Sequence, residues 1–314
     1  MSFSPAANPR KRQESTTERR DHVRTPRCPY RGRVVALATK HGKERAIGRP
    51  LQAALGLEVM VPPNLDTDAL GTFSGEVERV GTPKEMALRK ARLGMAAAEL
   101  PYGLASEGSF GPHPFIPFLP IGQELLIFVD DVLGIELSEF LIVEDTNFNH
   151  QIVAPGDDLT GFLQGIGFPS HAVIARPNIA RPNATWDRQL LFKGLTELAT
   201  LKEAIAASAA TSPDGRAHIE TDMRAHLNPT RMASIRRLAF RLARRLATVC
   251  PACGTPGWGR IDVELGLPCM DCGTLTDLVR AEILGCTACD HRSAHPRPDG
   301  RSHAEPGQCP YCNP

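Results

Sequence analysis

Apolar and polar positions fall into blocks along this chain, and the blocks predict an α/β fold. Val34-Val35-Ala36-Leu37-Ala38 is an unbroken apolar run, the mark of a strand buried on both faces. Residues 46–55 read as a helix weakened by Pro50, 58–61 as a second short strand, and 83–99 as a strong helix of Ala, Leu, Met, Lys and Arg. A strand end at 102–105 precedes two good strands, 125–129 and 139–143, joined by a turn around Gly134. A short strand at 172–175, a helical stretch from about Arg188 to Ala210 interrupted by Gly194, and a strand at 218–221 complete the alternation. Strands interleaved with helices imply an α/β class with a mixed sheet flanked by helices.

The clearest periodic signal is residues 229–249. Asn228 is an N-cap, and Pro229 takes the first helical position, where its missing N–H costs nothing. Met232, Ile235, Leu238, Leu242, Leu246 and Val249 form one apolar stripe, while Arg236, Arg237, Arg241, Arg244 and Arg245 fill the other side. This helix runs straight into a cysteine-rich segment and is expected to link two domains. The expected organisation is a basic, disordered tail at 1–31, an α/β domain at 32–227, the Arg-rich linking helix at 228–249 and a metal module at 250–314.

Eight of the nine cysteines form four CxxC pairs after residue 249, and Cys28 is left over as an incidental thiol. Cys250/Cys253 and Cys269/Cys272 are separated by 15 residues, the spacing of a zinc ribbon, and Cys286/Cys289 and Cys309/Cys312 by 19. Two thiolates on one tight turn chelate one edge of a tetrahedron, and a second turn closes it. Gly254 and Gly273 let the first two turns curl. Two closed, structural four-cysteine zinc sites are expected, paired in sequence order, with the crossed pairing of first with third and second with fourth as the alternative.

Hydrophobic residues at 42% and charged residues at 23% exclude a wholly disordered or fibrous chain, and 314 residues suggest two or three domains. The charge-free stretch Gly108–Gln123 holds four prolines, so no segment reads as a membrane span. With no basic-then-apolar leader, a soluble, cytoplasmic protein is expected. The net charge of +1 conceals an uneven distribution: residues 1–33 carry +6, 34–222 carry −9, 223–249 carry +7 and 250–314 carry −3. From Leu93 to Ala175 there are eleven acids and no Lys or Arg. Such a face either gathers a cation or is simply a solvated acidic surface.

Three segments, in order, carry a resemblance. Ala38-Thr39-Lys40-His41-Gly42-Lys43 follows the first strand, Thr82-Pro-Lys-Glu85-Met86-Ala87-Leu-Arg-Lys90-Ala91 opens the next strong helix, and Tyr102-Gly-Leu-Ala-Ser106-Glu107-Gly108-Ser-Phe runs from a strand toward an acidic, glycine-flanked loop. Together they resemble the nucleoside-triphosphate pyrophosphatases of the inosine/xanthosine triphosphatase type, over roughly residues 34–115. The first segment is one residue shorter than that family's motif and has His41 for Asn, and Met86 stands where the second motif has Asn. The resemblance implies phosphate contacts from Thr39, Lys43 and Lys90, and Mg²⁺ or base roles for Glu85 and Glu107. The whole arrangement, ending in Cys-Pro-Tyr-Cys-Asn-Pro, also resembles a bacterial family with an α/β region and two CxxC ribbons, a likeness that implies no activity.

A second constellation lies at His218-Ile-Glu220-Thr-Asp222-Met-Arg224, followed by Asn228-Pro-Thr-Arg231. At period two, His218, Glu220, Asp222 and Arg224 share one face of a strand, and the next helix brings its N-terminus and Arg231 alongside. Glu220 and Asp222 beside that seat would suit Mg²⁺ under a phosphate, with Arg224 and Arg231 on the phosphate itself. An exposed strand face with ordinary charge pairs accounts for the pattern equally well. The reading is a Mg²⁺-dependent hydrolase or transferase for a phosphorylated small molecule, possibly a nucleotide. The alternative is a non-enzymatic nucleic-acid-binding or adaptor protein that uses the Arg-rich helix and the ribbons.

Overall fold

A computed structural model of the chain describes residues 28–63, 65, 81–113, 116, 119–179 and 190–314. Most of the expected basic tail lies outside them. The first sheet has the order β2-β1-β3-β4-β5, built from β1 (Val34–Ala38), β2 (Glu58–Met60), β3 (Tyr102–Pro112), β4 (Pro120–Asp130) and β5 (Ile135–Val143). β1 runs parallel to β2 and β3, whereas β3, β4 and β5 are antiparallel. This is the expected mixed sheet. Helix α1 (Glu44–Leu55) and helix α5 (Pro229–Ala247) pack together on one face, and α2 (Pro83–Ala98) covers β1, β3 and β4 on the other.

The apolar stripe of α5 explains that arrangement. Ile235, Leu238, Ala239, Leu242, Ala243 and Leu246 are all buried against β1, β4, β5 and α1. Each such leucine contributes ~1.5–3 kcal/mol by leaving water, so the face that docks is fixed by the sequence period. Tyr30, assigned to the disordered tail, is fully buried in the same core, and its hydroxyl donates to Asp130 Oδ2 at 3.2 Å.

A second sheet was not anticipated. β6 (His150–Val153), β9 (Ala217–Thr221), β7 (Val173–Pro177) and β8 (Phe192–Leu195) lie in that order, all antiparallel, backed by α3 (Thr160–Ile166) and α4 (Leu198–Thr211). Within the helical stretch expected from Arg188 to Ala210, Phe192–Leu195 is therefore strand, and the helix begins at Leu198. Gly194 sits at φ +75° and donates its N–H to Asp222 Oδ2 at 3.1 Å, which suits an extended segment beside β7.

The C-terminal module is a three-stranded antiparallel meander of β10 (Gly259–Leu265), β11 (Val279–Gly285) and β12 (Arg292–Pro296). No helix among the described residues is long and apolar enough to cross a membrane.

Candidate functional site

The four CxxC turns gather at opposite ends of the meander. Cys250, Cys253, Cys286 and Cys289 form one group and Cys269, Cys272, Cys309 and Cys312 the other, with all Sγ atoms of each group within 4.8 Å. This is the crossed pairing and corrects the sequential one. The reason is topological: in a meander the segment before β10 lies beside the segment after β11, since Gly259 pairs with Gly285. The β10–β11 connection and the chain after β12 share the far end, where Ala304 N–H donates to Pro268 O at 2.8 Å.

Each group fits zinc. A tetrahedron with Zn–S of ~2.3 Å has sulfurs about 3.8 Å apart. The observed separations include 3.9 Å for Cys250–Cys289, 3.5 Å for Cys253–Cys286, 3.9 Å for Cys269–Cys312 and 3.6 Å for Cys272–Cys309. The first two turns are copies of each other: Gly254 N–H donates to Cys250 O, Gly273 N–H to Cys269 O, and both glycines have φ near +74°. The Thr255 hydroxyl and backbone beside Cys253 pull that thiol down to about 6, and Thr274 does the same for Cys272. Crowding by Cys272 first, then burial and the remaining thiols, pushes Cys312 up to about 12. A divalent cation among the four sulfurs resolves that conflict.

The α/β region brings the two sequence constellations together. Lys43, buried behind the β1–α1 turn, donates from Nζ to Ser106 O at 3.0 Å and to Ser106 Oγ at 2.9 Å. Burial and the neighbouring Arg231 lower its pKa to about 8, against the opposing pull of Glu124 and Glu107. Arg231, from the first turn of α5, reaches back to Glu124 Oε1 at 2.6 Å, bonds Met223 O, and lies 5.1 Å above the Phe110 ring. It is thus a buried clamp rather than an open phosphate seat at the helix N-terminus.

Glu107 lies within β3 and not in a loop. The strand runs seven residues beyond the expected end because β4 pairs with it along its whole length. Its side chain points to the α2 face, where Lys90 Nζ stands 2.5 Å from Oε1. Glu85 instead closes a capping box: Thr82 N–H donates to Glu85 Oε2 at 2.8 Å, and this bond holds the carboxyl below its usual range.

β9 ends at Thr221, so only His218 and Glu220 share the expected strand face. Asp222 lies beyond it, fully buried, accepting from Gly194 N–H and from Arg224 Nε at 3.0 Å and Nη2 at 2.6 Å. Thr39 is buried, and its Oγ1 accepts from His41 N–H at 3.2 Å. Among the described residues, no group of three or more acidic or imidazole side chains converges outside the two four-cysteine groups. Glu85, Glu107, Glu220 and Asp222 therefore form no joint cage for Mg²⁺.

Sequence reasoning missed the histidines. His41 and His226 stack with centroids 5.2 Å apart and planes 9° apart. Burial, then Lys43, His226, Arg224 and Arg231, lower His41 to about 3, and His226 is lowered by burial and Arg224. Both imidazoles are neutral at pH 7, first because burial penalises the charged ring and then because cations stand nearby. Glu124 was also missed, since it reads as one polar residue in a strand. Thr39, Lys40, Gly42, Arg45, Val59 and His226 line an open groove of about 570 Å³ past the carboxyl ends of β1 and β2.

A family model described as a domain of unknown function, DUF6671, matches residues 90–314. The chain belongs to this family. The DUF6671 match takes in all eight paired cysteines together with Lys90, Glu107, Glu124, Asp222 and Arg231, whereas Thr39, Lys43 and Glu85 precede it. No curated protein matches the chain.

Proposed function

We propose that this DUF6671 protein binds a phosphorylated small molecule at the carboxyl end of β1 and acts on it as a hydrolase or transferase. The observation that carries the reading is the shared groove. The Thr39–Lys43 turn and His226, from separate constellations, face one space, where ligands of α/β sheets collect. Lys40 and Arg45 line it against one acid, Glu44, and Lys43 stands behind it, so its lining carries a net positive charge that favours an anion. Lys43, Arg224 and Arg231, which add to burial in lowering His41, belong to the same field.

The resemblance to nucleoside-triphosphate pyrophosphatases makes a nucleotide the first candidate. On this reading Mg²⁺ arrives on the phosphates, as is usual for an ion that keeps most of its waters and takes one or two carboxylates. The two four-cysteine groups bind structural zinc and hold the C-terminal module together.

Three of the five arginines on the outer side of α5 are engaged within the chain. Arg237 reaches Asp145, Arg241 the carbonyl of Phe140, and Arg245 Glu139 and two carbonyls. That leaves Arg236 and Arg244 for the alternative of nucleic-acid binding and favours the small-molecule reading.

The test is calorimetric binding of tripolyphosphate to zinc-loaded protein, followed by phosphate and pyrophosphate release from nucleoside triphosphates with Mg²⁺. Lys40→Ala and Arg45→Ala should weaken binding at least tenfold, and Glu107→Gln should lower release. Loss with Glu220→Gln alone would move the site to β9. No anion binding, together with salt-sensitive binding to RNA or DNA, would overturn the proposal.

A further inference from the structure

Helices α1 and α5 pack against each other on one face of the first sheet, and a groove of about 540 Å³ opens between them. Ala53 and Ala54 of α1 and Ala243 and Ala247 of α5 line it, together with Phe240. Phe240 breaks the pattern of its helix. The apolar stripe of α5 is buried, yet this ring sits among the arginines of the other side, 56% exposed. Arg236 and Arg244 lie four residues before and after it and Arg237 three before, so on the helix surface the ring stands in a frame of cations. An exposed aromatic ring beside a strip of exposed small side chains marks an interaction surface.

We propose that this groove docks an acidic amphipathic helix of a partner protein. The alanines let a third helix come close to the seam, and the stretch from Phe240 to Ala247 offers it about 10 Å, or two turns. Apolar residues at i, i+3, i+4 and i+7 of the incoming helix would lie on the alanines and against Phe240. Charge sets the chemistry of its flanks. Residues 45–57 and 223–249 contain no acid, and Arg49, Arg236 and Arg244 are exposed. Arg241 and Arg244 line the groove itself, so Asp or Glu beside the apolar positions of the partner meets a cation on the α5 side.

A second copy of this chain is the weaker occupant, because a two-fold contact would press this acid-free face against itself and bring like charges together. Nucleic acid could use the arginines, but its phosphates gain nothing from the alanines between them. The groove shares no lining residue with the one at β1, so this proposal and the phosphate reading can fail separately.

The experiment is selection from a displayed library of random 16-residue peptides on the zinc-loaded full chain, followed by fluorescence anisotropy of the most enriched peptide. Enriched sequences should carry apolar residues at helical spacing and a net negative charge. Phe240→Ala and Arg244→Glu, both at exposed positions, should each weaken binding of that peptide at least tenfold, with melting temperature and zinc content unchanged. Enriched peptides without net negative charge, no enrichment above an uncoated surface, or binding that survives both substitutions would overturn the proposal. A dimer in sedimentation velocity that Phe240→Ala dissolves would give the groove to a second copy and overturn it too. So would displacement of the peptide by an equal concentration of a 20-nucleotide RNA.

Discussion

Arg231 occupies the space that a side chain at Gly108 would fill. A Cβ built on Gly108 overlaps Arg231 Nη2 and stands 3.0 Å from Glu124 Oε1. Gly108 and Glu124 are direct partners across β3 and β4, so the guanidinium lies between its acid and the space of the missing side chain. Through the bond to Met223 O, the same side chain ties the first sheet to the segment that leaves the second. One residue of α5 thus joins the parts that carry the two sequence constellations.

Gly108→Ala should therefore behave as a loss of the ion pair. Displacing Arg231 leaves Glu124, which is fully buried, without its countercharge, and breaking such a pair costs on the order of 3–5 kcal/mol. Urea unfolding of Gly108→Ala, Arg231→Met and the double variant measures it. The expected result is strong non-additivity, because the alanine methyl no longer meets the guanidinium once Arg231 is shortened. Additive losses would mean that the glycine matters for another reason.

Zinc stoichiometry separates the crossed from the sequential pairing. Cys253→Ser with Cys286→Ser removes ligands from one group and should leave one tightly bound zinc per chain. Cys253→Ser with Cys272→Ser damages both groups and should leave none that resists a colorimetric chelator. Sequential pairing demands the reverse outcome for the two double variants. The metal content of purified protein decides between them.

The crossed pairing shows why part of the molecule was legible and part was not. Four CxxC pairs announce two four-cysteine groups, but spacing along the chain says nothing about which ends of a meander meet. The three strands between the pairs have mixed, half-exposed faces, and their weak period-two signal gave no topology. By contrast, β1, α2 and α5 carry unbroken apolar runs or 3.6-residue stripes, and each sits where the pattern put it. Glu107 was misplaced because glycines at 103, 108 and 111 look like loop residues. Gly103 makes room for Met95 and Gly108 for Arg231, so they are packing glycines inside a strand. The groove joins residues 39 and 226, and no local pattern carries that distance.

The two faces of α5 should respond very differently to substitution. Leu238 is fully buried between the sheet and α1, and Leu238→Ala should cost about 2–5 kcal/mol as a cavity opens. Arg244→Ala, on the outer side, should stay within about 0.5 kcal/mol. Thermal unfolding of the two variants checks the assignment, and a large loss at Arg244 would show that the exposed face is engaged.

His41 should give the protein a specific acid sensitivity. Its pKa is about 3 in the folded protein and 6.5 when unfolded, so between these values the unfolded chain binds the additional proton. Stability contributed by this group is complete above about pH 6.5 and falls as pH drops toward 3. Its slope is at most about 1.4 kcal/mol per pH unit. The groups that hold the imidazole neutral after burial are Lys43, the stacked His226, Arg224 and Arg231, none of which supplies a negative charge. His41→Asn removes the titration and some stacking with His226. The variant should be less stable than the parent at pH 7.5, and the gap should narrow or reverse by pH 4.5. Acid protonates the zinc thiolates of both chains alike, so the difference between the two unfolding curves is the quantity to follow. A gap that stays constant from pH 7.5 to 4.5 would show that His41 already titrates normally, and that the cluster of cations around it is weaker than its geometry implies.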